Sequence, residues 1–516
     1  HSITVDILDH GKDKPELLEK ELMWIKALNT AYPLGLNDSI KHFVSNNLER
    51  KMNFSQDLHS IDQNILRKVS ELHKDFVITM VDKAAGNYAF TCKKLYLQFM
   101  EKEMNTQNDG ERTYELKPQI CPTVIRSNHE RFTRSFGIIP QTEGNLPKIY
   151  GIPKMHKNPI KFRFITGAHD STLKPLSIEL QKILKFLHGH FRRYCDSITS
   201  HDKINRFFSI QNTVKVVQQL STVHNPNSNK NAHFSSLKFT NLPHDVVREK
   251  LYFLIDTLFR NAGSEYLVVH GNYVRYDRNN ASTTGRSYHK VDVKGIIDFI
   301  LKNSFAYYGG QLYQQHKGIP QGNNASPQIA DLTLAVMECQ YIRKNIKVGH
   351  TLAFSLNRTF RYIDGLFHIS EKRSEFMRIT TEMYHQSLTL EQTNSGPRES
   401  AFLDLSIIVK NYGKVQTSLY NKTDDYSFSV VRYPHYQSNI PRFMGANTLH
   451  GEIVRIYRNC SSVEHFLERV RKIVKYFITI QYPKSIVFSR VYKSLNKTQT
   501  ISLKYAVPNS EMSLLI

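Results

Sequence analysis

The residues best suited to chemistry are few and fall in three short stretches. Asp364 lies in Thr359–Ser370, TFRYIDGLFHIS, where apolar residues flank an Asp-Gly dipeptide. This pattern predicts a hairpin turning at Asp364-Gly365, with a carboxylate presented at its tip. Ahead of it, Lys317–Leu332, KGIPQGNNASPQIADL, carries Pro320, Gly322, Asn323 and Asn324 before Ser326-Pro327 and an apolar run. The expectation is a tight loop feeding a helix with Pro near its first position. A hairpin carboxylate beside a loop whose backbone allows close approach suits phosphate and metal chemistry. The third stretch is cationic: Lys161 and Arg163 alternate with Phe162 and Phe164 in the strand-like run Lys161–Thr166. Alternation turns the cations to one face and the rings to the other, a pre-organised grip for phosphate oxygens.

The surrounding pattern supplies elements to hold these groups. FVITMV and YAFTC flank Asp82–Asn87 as a hairpin, with Lys83 and Asp82 as neighbours in the turn and a basic helix following. Helical periodicity marks LKPLSIELQKILKFLHGHFRRY, a second stretch around Phe207–Leu220, and Val246–Phe259, whose start His244 and Asp245 would cap. Asp256 falls inside that last helix. The polar segment 225–233 predicts a surface loop, and Gly309-Gly310 a hairpin leading into the Lys317 loop. Ser387–Tyr420 alternates like a sheet, and Asp404, Asp424 and Asp425 near it read as turn or salt-bridge residues. Residues 440–495 are helical, aromatic and basic, and residues 1–70 are charged and helical, with Trp24 as a packing anchor.

Bulk composition narrows the class of partner. With 516 residues and 40% hydrophobic content the chain can bury a large core and is not globally disordered. Sixty-nine Lys+Arg against 46 Asp+Glu give a net charge of +23, a self-repulsion that an anionic partner would offset. Nucleic acid is the first candidate and an anionic membrane surface the second. The five cysteines form neither a Cys-x-x-Cys pair nor a zinc pattern, which fits a reducing, intracellular setting, nuclear or cytoplasmic. No run of 18 apolar residues occurs, so no membrane span is expected. The start at His1 reads as an internal piece of a longer frame.

GIPQG–NASPQIADL followed by FRYIDG resembles motifs B and C of reverse transcriptases, whose motif C carries a second Asp where this chain has Gly365. PKIYGIPKMHKNPIKFRFI resembles the fingers segment of Penelope-type reverse transcriptases. HFSSLKFTNLPH resembles motif A, which opens on a metal-binding Asp; either His233 or Phe234 holds that place, according to whether Lys238 counts as an insertion. The resemblance spans residues 71–495. It implies an α+β protein with an α/β palm in a right-hand polymerase fold. Its parts would be a helical lead-in (1–70), fingers (71–232), a palm with motifs A, B and C (233–410) and a basic helical thumb (411–516).

The resemblance also implies RNA-directed DNA polymerase activity of a mobile element, with Mg²⁺, an RNA template, a DNA primer and deoxynucleoside triphosphates. Asp364 would be the catalytic metal ligand and His233 the degenerate motif A position. Lys154, Lys157, Lys161 and Arg163 would meet triphosphate or template. Lys83 is a further template or triphosphate contact at the fingers edge. Gln321 and Gly322 would pack against the incoming nucleotide, and Tyr362 would lie under the primer end. Two of three expected carboxylates are absent, and neutral imidazole is a poor donor for a hard ion. The expectation is therefore an enzyme weakened or inactive in this copy; the alternative is a catalytically dead RNA/DNA-binding protein.

Overall fold

The computed structural model describes residues 3–6 and most of 63–504. The segments 222–230, 238–241, 347–352, 411–414, 439–441 and 498–503, with a few single positions, lie outside the described residues. The expected N-terminal helix with Trp24, and nearly all of the expected 225–233 loop, also fall outside them.

Sixteen elements carry the argument. In chain order they are β1 (Phe76–Val81), β2 (Ala84–Cys92), β3 (Lys148–Lys154), β4 (Lys161–Gly167), α1 (Lys174–Asp202), β5 (Asn231–Leu237) and α2 (His244–Ala262). Then come α3 (Lys290–Lys302), α4 (Ser326–Asn345), β6 (Thr359–Tyr362), β7 (Gly365–Ser370), α5 (Arg373–Met383) and β8 (Leu390–Gln392). Three helices follow: α6 (Arg442–Asn459), α7 (Val463–Thr479) and α8 (Lys484–Lys497). The chain divides into two compact units, residues 103–150 with 164–416, and residues 1–102 with 151–163 and 417–516.

The first unit is built on an antiparallel sheet of order β6-β7-β5-β8. Strand β7 is buried on both faces, so Leu366, Phe367 and Ile369 do not alternate with solvent-facing residues, and His368 between them is buried as well. Leu366 joins a core made with α1, α2, α3 and α4, whereas Phe367 and Ile369 join Phe402, Leu405 and Ile407 on the opposite face. Helix α4 is apolar nearly all round and runs through that core, as a helix buried on every side must. Its Pro-containing first turn follows the Lys317 loop as expected. The Gly309-Gly310 hairpin also forms, both glycines taking the positive φ that a two-residue turn needs.

The second unit holds the β1–β2 hairpin, with Ile3–Asp6 paired to the other edge of β2. The expected turn is tighter than Asp82–Asn87: Val81 pairs with Ala84, leaving Asp82-Lys83 at the tip with Lys83 at φ +63°. Phe162 of β4 is buried against Tyr96 and Phe99, which leaves Lys161 and Arg163 on the other face. The three helices α6–α8 share a separate core centred on Ile453, Phe466, Val470, Phe477 and Leu495.

Two local expectations fail. Phe207–Leu220 is not one helix: only Val214–Ser221 is helical. Its first part is extended because the backbone of Phe208 and Ile210 bonds to both sides of Arg361 (2.8 and 2.9 Å), completing the edge of β6. His244 does not cap α2 either. Pro243 holds that place, and the His244 Nε2 lies 2.8 Å from the Gly318 carbonyl, tying the helix start to the Lys317 loop.

Candidate functional site

The β6–β7 hairpin forms where expected, but its turn is displaced by one residue. Tyr362 pairs with Gly365, so the turn residues are Ile363 and Asp364. Gly365 is drawn into the sheet because Ser236 pairs with it from the other side. Ile363 thereby takes φ +50°, an outlier for a β-branched residue that costs on the order of 1–3 kcal/mol. Asp364 is exposed, and among the described residues no hydrogen bond or ion pair ties it down. Tyr362 is exposed beside it.

What holds this turn is a buried ionic network with no counterpart in the sequence reading. The Arg361 side chain is fully buried and satisfies its five N–H donors within reach of five acceptors. Nε meets the Glu338 carboxylate at 2.5 Å and Nη2 lies 3.4 Å from its other oxygen. Nη1 bonds Asp331 at 2.5 Å and the Ile363 carbonyl at 3.1 Å, and Nη2 bonds the Asp331 carbonyl at 3.1 Å. Tyr384 donates to Glu338 (2.7 Å), while Ser209 (2.8 Å) and His188 (2.9 Å) close on Asp331. Burial alone would raise the Asp331 carboxyl; the Arg361 charge and the bonds from His188 and Ser209 outweigh it and hold the group at about 2. Burial pushes the Glu338 carboxyl up, with Arg361 opposing. The signal was present in sequence as an Arg inside an apolar strand and two acids seven residues apart on an apolar helix, which share a face.

The Lys317 loop is anchored from three sides. The Gln321 carbonyl accepts from Thr166 N (2.8 Å) on β4, and Gln181 of α1 donates to the Asn324 carbonyl (2.8 Å). Ser177 bonds Asn323 and the Ala325 N–H, and the Ser326 hydroxyl donates to the Pro320 carbonyl (2.6 Å). Gly322 sits at φ +118°, and a Cβ there would lie 1.9 Å from the Thr166 carbonyl oxygen. Only glycine permits this approach. Gln321 and Gly322 themselves remain exposed.

In the other unit the predicted cations gather. Arg163 pairs with Asp82 at 3.1 Å, although Asp82 is 2% exposed and its second oxygen has no hydrogen-bond partner among the described residues. Burial, then the charges of Arg163, Lys161 and Lys157, lower the Lys154 ammonium, with Asp82 opposing. Lys83 is pushed down to about 8, by burial and by Lys422 and Arg163. Because Lys83 is exposed at the surface, its cationic neighbours matter more than burial. His156 is lowered to about 4 by burial, Lys83 and Lys157. Lys83 and Asp82 are thus not a simple solvated pair; Asp82 turns inward to Arg163. Asp82, with Asp425 also acting on His156, faces six cations, which leaves an excess of positive charge of the kind that attracts polyanions. Lys422 comes from the segment whose Tyr426 hydroxyl donates to the Asp82 carbonyl, a contribution sequence spacing did not reveal.

Strand β5 lies next to β7, and its register assigns the motif A region. Ser236 is opposite Gly365, and His233 is opposite His368, three residues further from the turn. At about 3.4 Å per residue His233 is roughly 10 Å along the strand from the level of the tip. The register therefore brings Ser236, not His233, level with Gly365. Two divalent ions about 3.5–4 Å apart need several carboxylate oxygens. Asp364 supplies one carboxylate, its sheet neighbours Gly365 and Ser236 none, and Glu391 stands opposite Ser236 one strand further on, so among the described residues this donor set does not fit a Mg²⁺ pair. Among the described residues no group of three His, Cys, Asp or Glu could hold a metal ion. Asp256 is engaged with Lys294 (2.6 Å), and Asp424 with Arg469 (2.9 Å) and Lys472 (2.8 Å). Asp425 accepts from Tyr420. Leu403 and Asp404 form the turn between strands Glu399–Phe402 and Leu405–Val409. No described helix is long and apolar enough to cross a membrane.

Comparison with solved structures shows the fold. Telomerase from Candida albicans, solved in complex with a TWJ fragment of telomeric RNA, is 13% identical with a TM-score of 0.56. The match covers 87% of this chain and 69% of that one. Apo telomerase from Candida tropicalis is 12% identical with a TM-score of 0.45, covering 96% and 78%. The likeness to the first is a mixed α/β architecture resembling a right-hand polymerase with its palm; it does not point specifically to a Penelope-type element. The family described as an animal helix-turn-helix domain matches residues 432–491, which include α6, α7 and part of α8. No curated protein matches the chain.

Proposed function

We propose that this chain is a reverse-transcriptase-type domain of a Penelope-like or related mobile element that keeps its polynucleotide grip and has lost most of its metal centre. The observation that carries this reading is Asp364, alone and exposed at a hairpin tip where Gly365 and Ser236 stand beside it without a carboxylate. The rest of the frame supports retention of binding. The Lys317 loop is pinned against β4, and Lys154, Lys157, Lys161, Arg163, Lys83 and Lys422 crowd around a single buried carboxylate. Cations so placed would take the phosphates of an RNA template, a DNA primer strand or a nucleoside triphosphate. Gln321 and Gly322 would bound a base, and Tyr362 would lie under a primer end.

Chemistry on that frame is a different matter. Losing a single electrostatic contact to a developing charge typically costs about 10²–10³ in rate, and here two metal ligands are gone. The function that follows is binding of primer–template duplex with little or no nucleotidyl transfer. Titration of a labelled primer–template against the full chain at graded salt tests the binding half. Affinity that falls steeply as salt rises is expected; absence of binding at low salt rejects it.

A further inference from the structure

We propose that a cavity between the segment 419–433 and helices α6 and α7 binds a small molecule that joins a flat ring to one phosphate, in the general case a nucleoside monophosphate. The cavity measures about 300 Å³, the size of a small-ligand site, and its whole lining belongs to one compact unit. The wall formed by 419–433 is irregular after the strand Val415–Leu419, yet it is fixed from two sides. On the cavity side, Asp424 accepts from Arg469 (2.9 Å) and Lys472 (2.8 Å) of α7. The Tyr476 hydroxyl accepts from the Arg432 backbone N–H (3.1 Å) and donates to the Val430 carbonyl (3.3 Å). On the far side, Asn87 of β2 exchanges two hydrogen bonds with the Val431 backbone (2.9 and 3.0 Å), and Tyr426 bonds the Asp82 carbonyl. A space framed by such contacts is pre-formed, so a ligand entering it has little to order.

The lining selects the ligand. Two edge-to-face aromatic pairs, Tyr426 with Phe428 (5.1 Å) and Tyr433 with Tyr476 (5.5 Å), border the space and offer a ring its apolar contacts. Arg469, Lys472 and Tyr476 share one face of α7 over about two turns, roughly 10 Å, which sets an anion grip and an aromatic wall along one cavity. Both cations bond the same Asp424 oxygen, so positive charge remains for a second anion, and a guanidinium fork beside an ammonium suits phosphate oxygens. The balance limits that anion. Arg432, Arg469 and Lys472 line the cavity with Asp424 and Glu452; Arg455 bonds Glu452 (3.0 Å), and Asp425 follows Asp424 and accepts from Tyr420. Four cations against three carboxylates admit one phosphate monoester, whereas the further charges of a triphosphate would meet the three acids. Asn421, Ser429 and Glu452 supply polar atoms for the ring edge or a sugar hydroxyl.

Isothermal titration calorimetry of the full chain with the monophosphates of adenosine, guanosine, cytidine and uridine tests the site. At least one should bind about tenfold or more tightly than its own nucleoside, inorganic phosphate or the matching triphosphate. Ser429→Trp, at an exposed lining position, fills the cavity without touching an ion pair, and Arg469→Gln with Lys472→Gln removes the anion grip. Each should weaken the monophosphate about tenfold or more. Combined Lys161→Ala and Arg163→Ala substitution should weaken primer–template and leave the monophosphate unchanged, so the site and the proposed function can fail separately. Single strands with a 5′-phosphate or a 5′-hydroxyl identify the source of the ligand. Preference for the phosphorylated strand that Ser429→Trp abolishes supports the site as a holder of strand ends; no preference, with the monophosphate still bound, supports it as a holder of free nucleotide. No monophosphate binding, binding no tighter than inorganic phosphate, or parent-like affinity in Ser429→Trp would each overturn the assignment.

Discussion

Arg361 is the residue on which the hairpin depends, because it bonds the Ile363 carbonyl while neutralising two acids that no water reaches easily. Replacing it with Met leaves Glu338 buried without its cation, a loss of about 3–5 kcal/mol. Urea denaturation should show the fall, and Glu338→Leu on the same background should recover part of it. Asp331 gives this network a pH signature. Its folded value of about 2 lies below the ordinary 3.8, so its contribution is complete above pH 4 and is lost as pH falls through 2. The difference amounts to about 2 kcal/mol, and Asp331→Asn should flatten that part of the acid limb of a stability–pH curve. Lys83 titrates near 8 and is charged below it. Binding of a triphosphate or duplex by the cation cluster should weaken between pH 7 and 9, and Lys83→Arg should remove that dependence.

At the scale of elements, the Lys317 loop and the Gly309-Gly310 hairpin were legible because glycine, proline and alternation fix them locally. Ser326-Pro327 opening α4, Gly309-Gly310, and Lys161 and Arg163 turned away from Phe162 all follow from such rules. The displaced turn at Ile363-Asp364 was not legible, because the Asp-Gly preference is overridden by strand pairing of Gly365 with Ser236. Nor was the extended path of Phe207–Ile210, which is set by backbone bonds to Arg361 far along the chain. Strand register was not legible either: Ser236 pairs with Gly365, while Phe234 and His233 pair with Phe367 and His368, further from the tip. Gly322 makes the loop testable. Ala there must take a positive φ and collide with Thr166, at an expected cost of about 2–4 kcal/mol. A drop of several degrees in Tm should accompany it, whereas Gly189→Ala, where added volume meets nothing within 4 Å, should be silent or slightly stabilising.

Over the whole molecule, a charge of +23 is a self-repulsion that an anionic partner would offset, and among the described residues no group of three His, Cys, Asp or Glu could hold a metal ion. The motif order made the fold legible, since several stretches resembled one family in sequence. The metal centre's state was legible at Gly365 and at the motif A place, held by His233 or Phe234; the lone exposure of Asp364 and the network beneath it needed the structure. Loss of catalysis with retained binding is decided by primer extension on a primed RNA template with Mg²⁺ and deoxynucleoside triphosphates, with Asp364→Ala run beside the parent. Both proteins are expected to bind the primer–template and neither to extend it above background. Mg²⁺-dependent product from the parent that disappears in Asp364→Ala would contradict it.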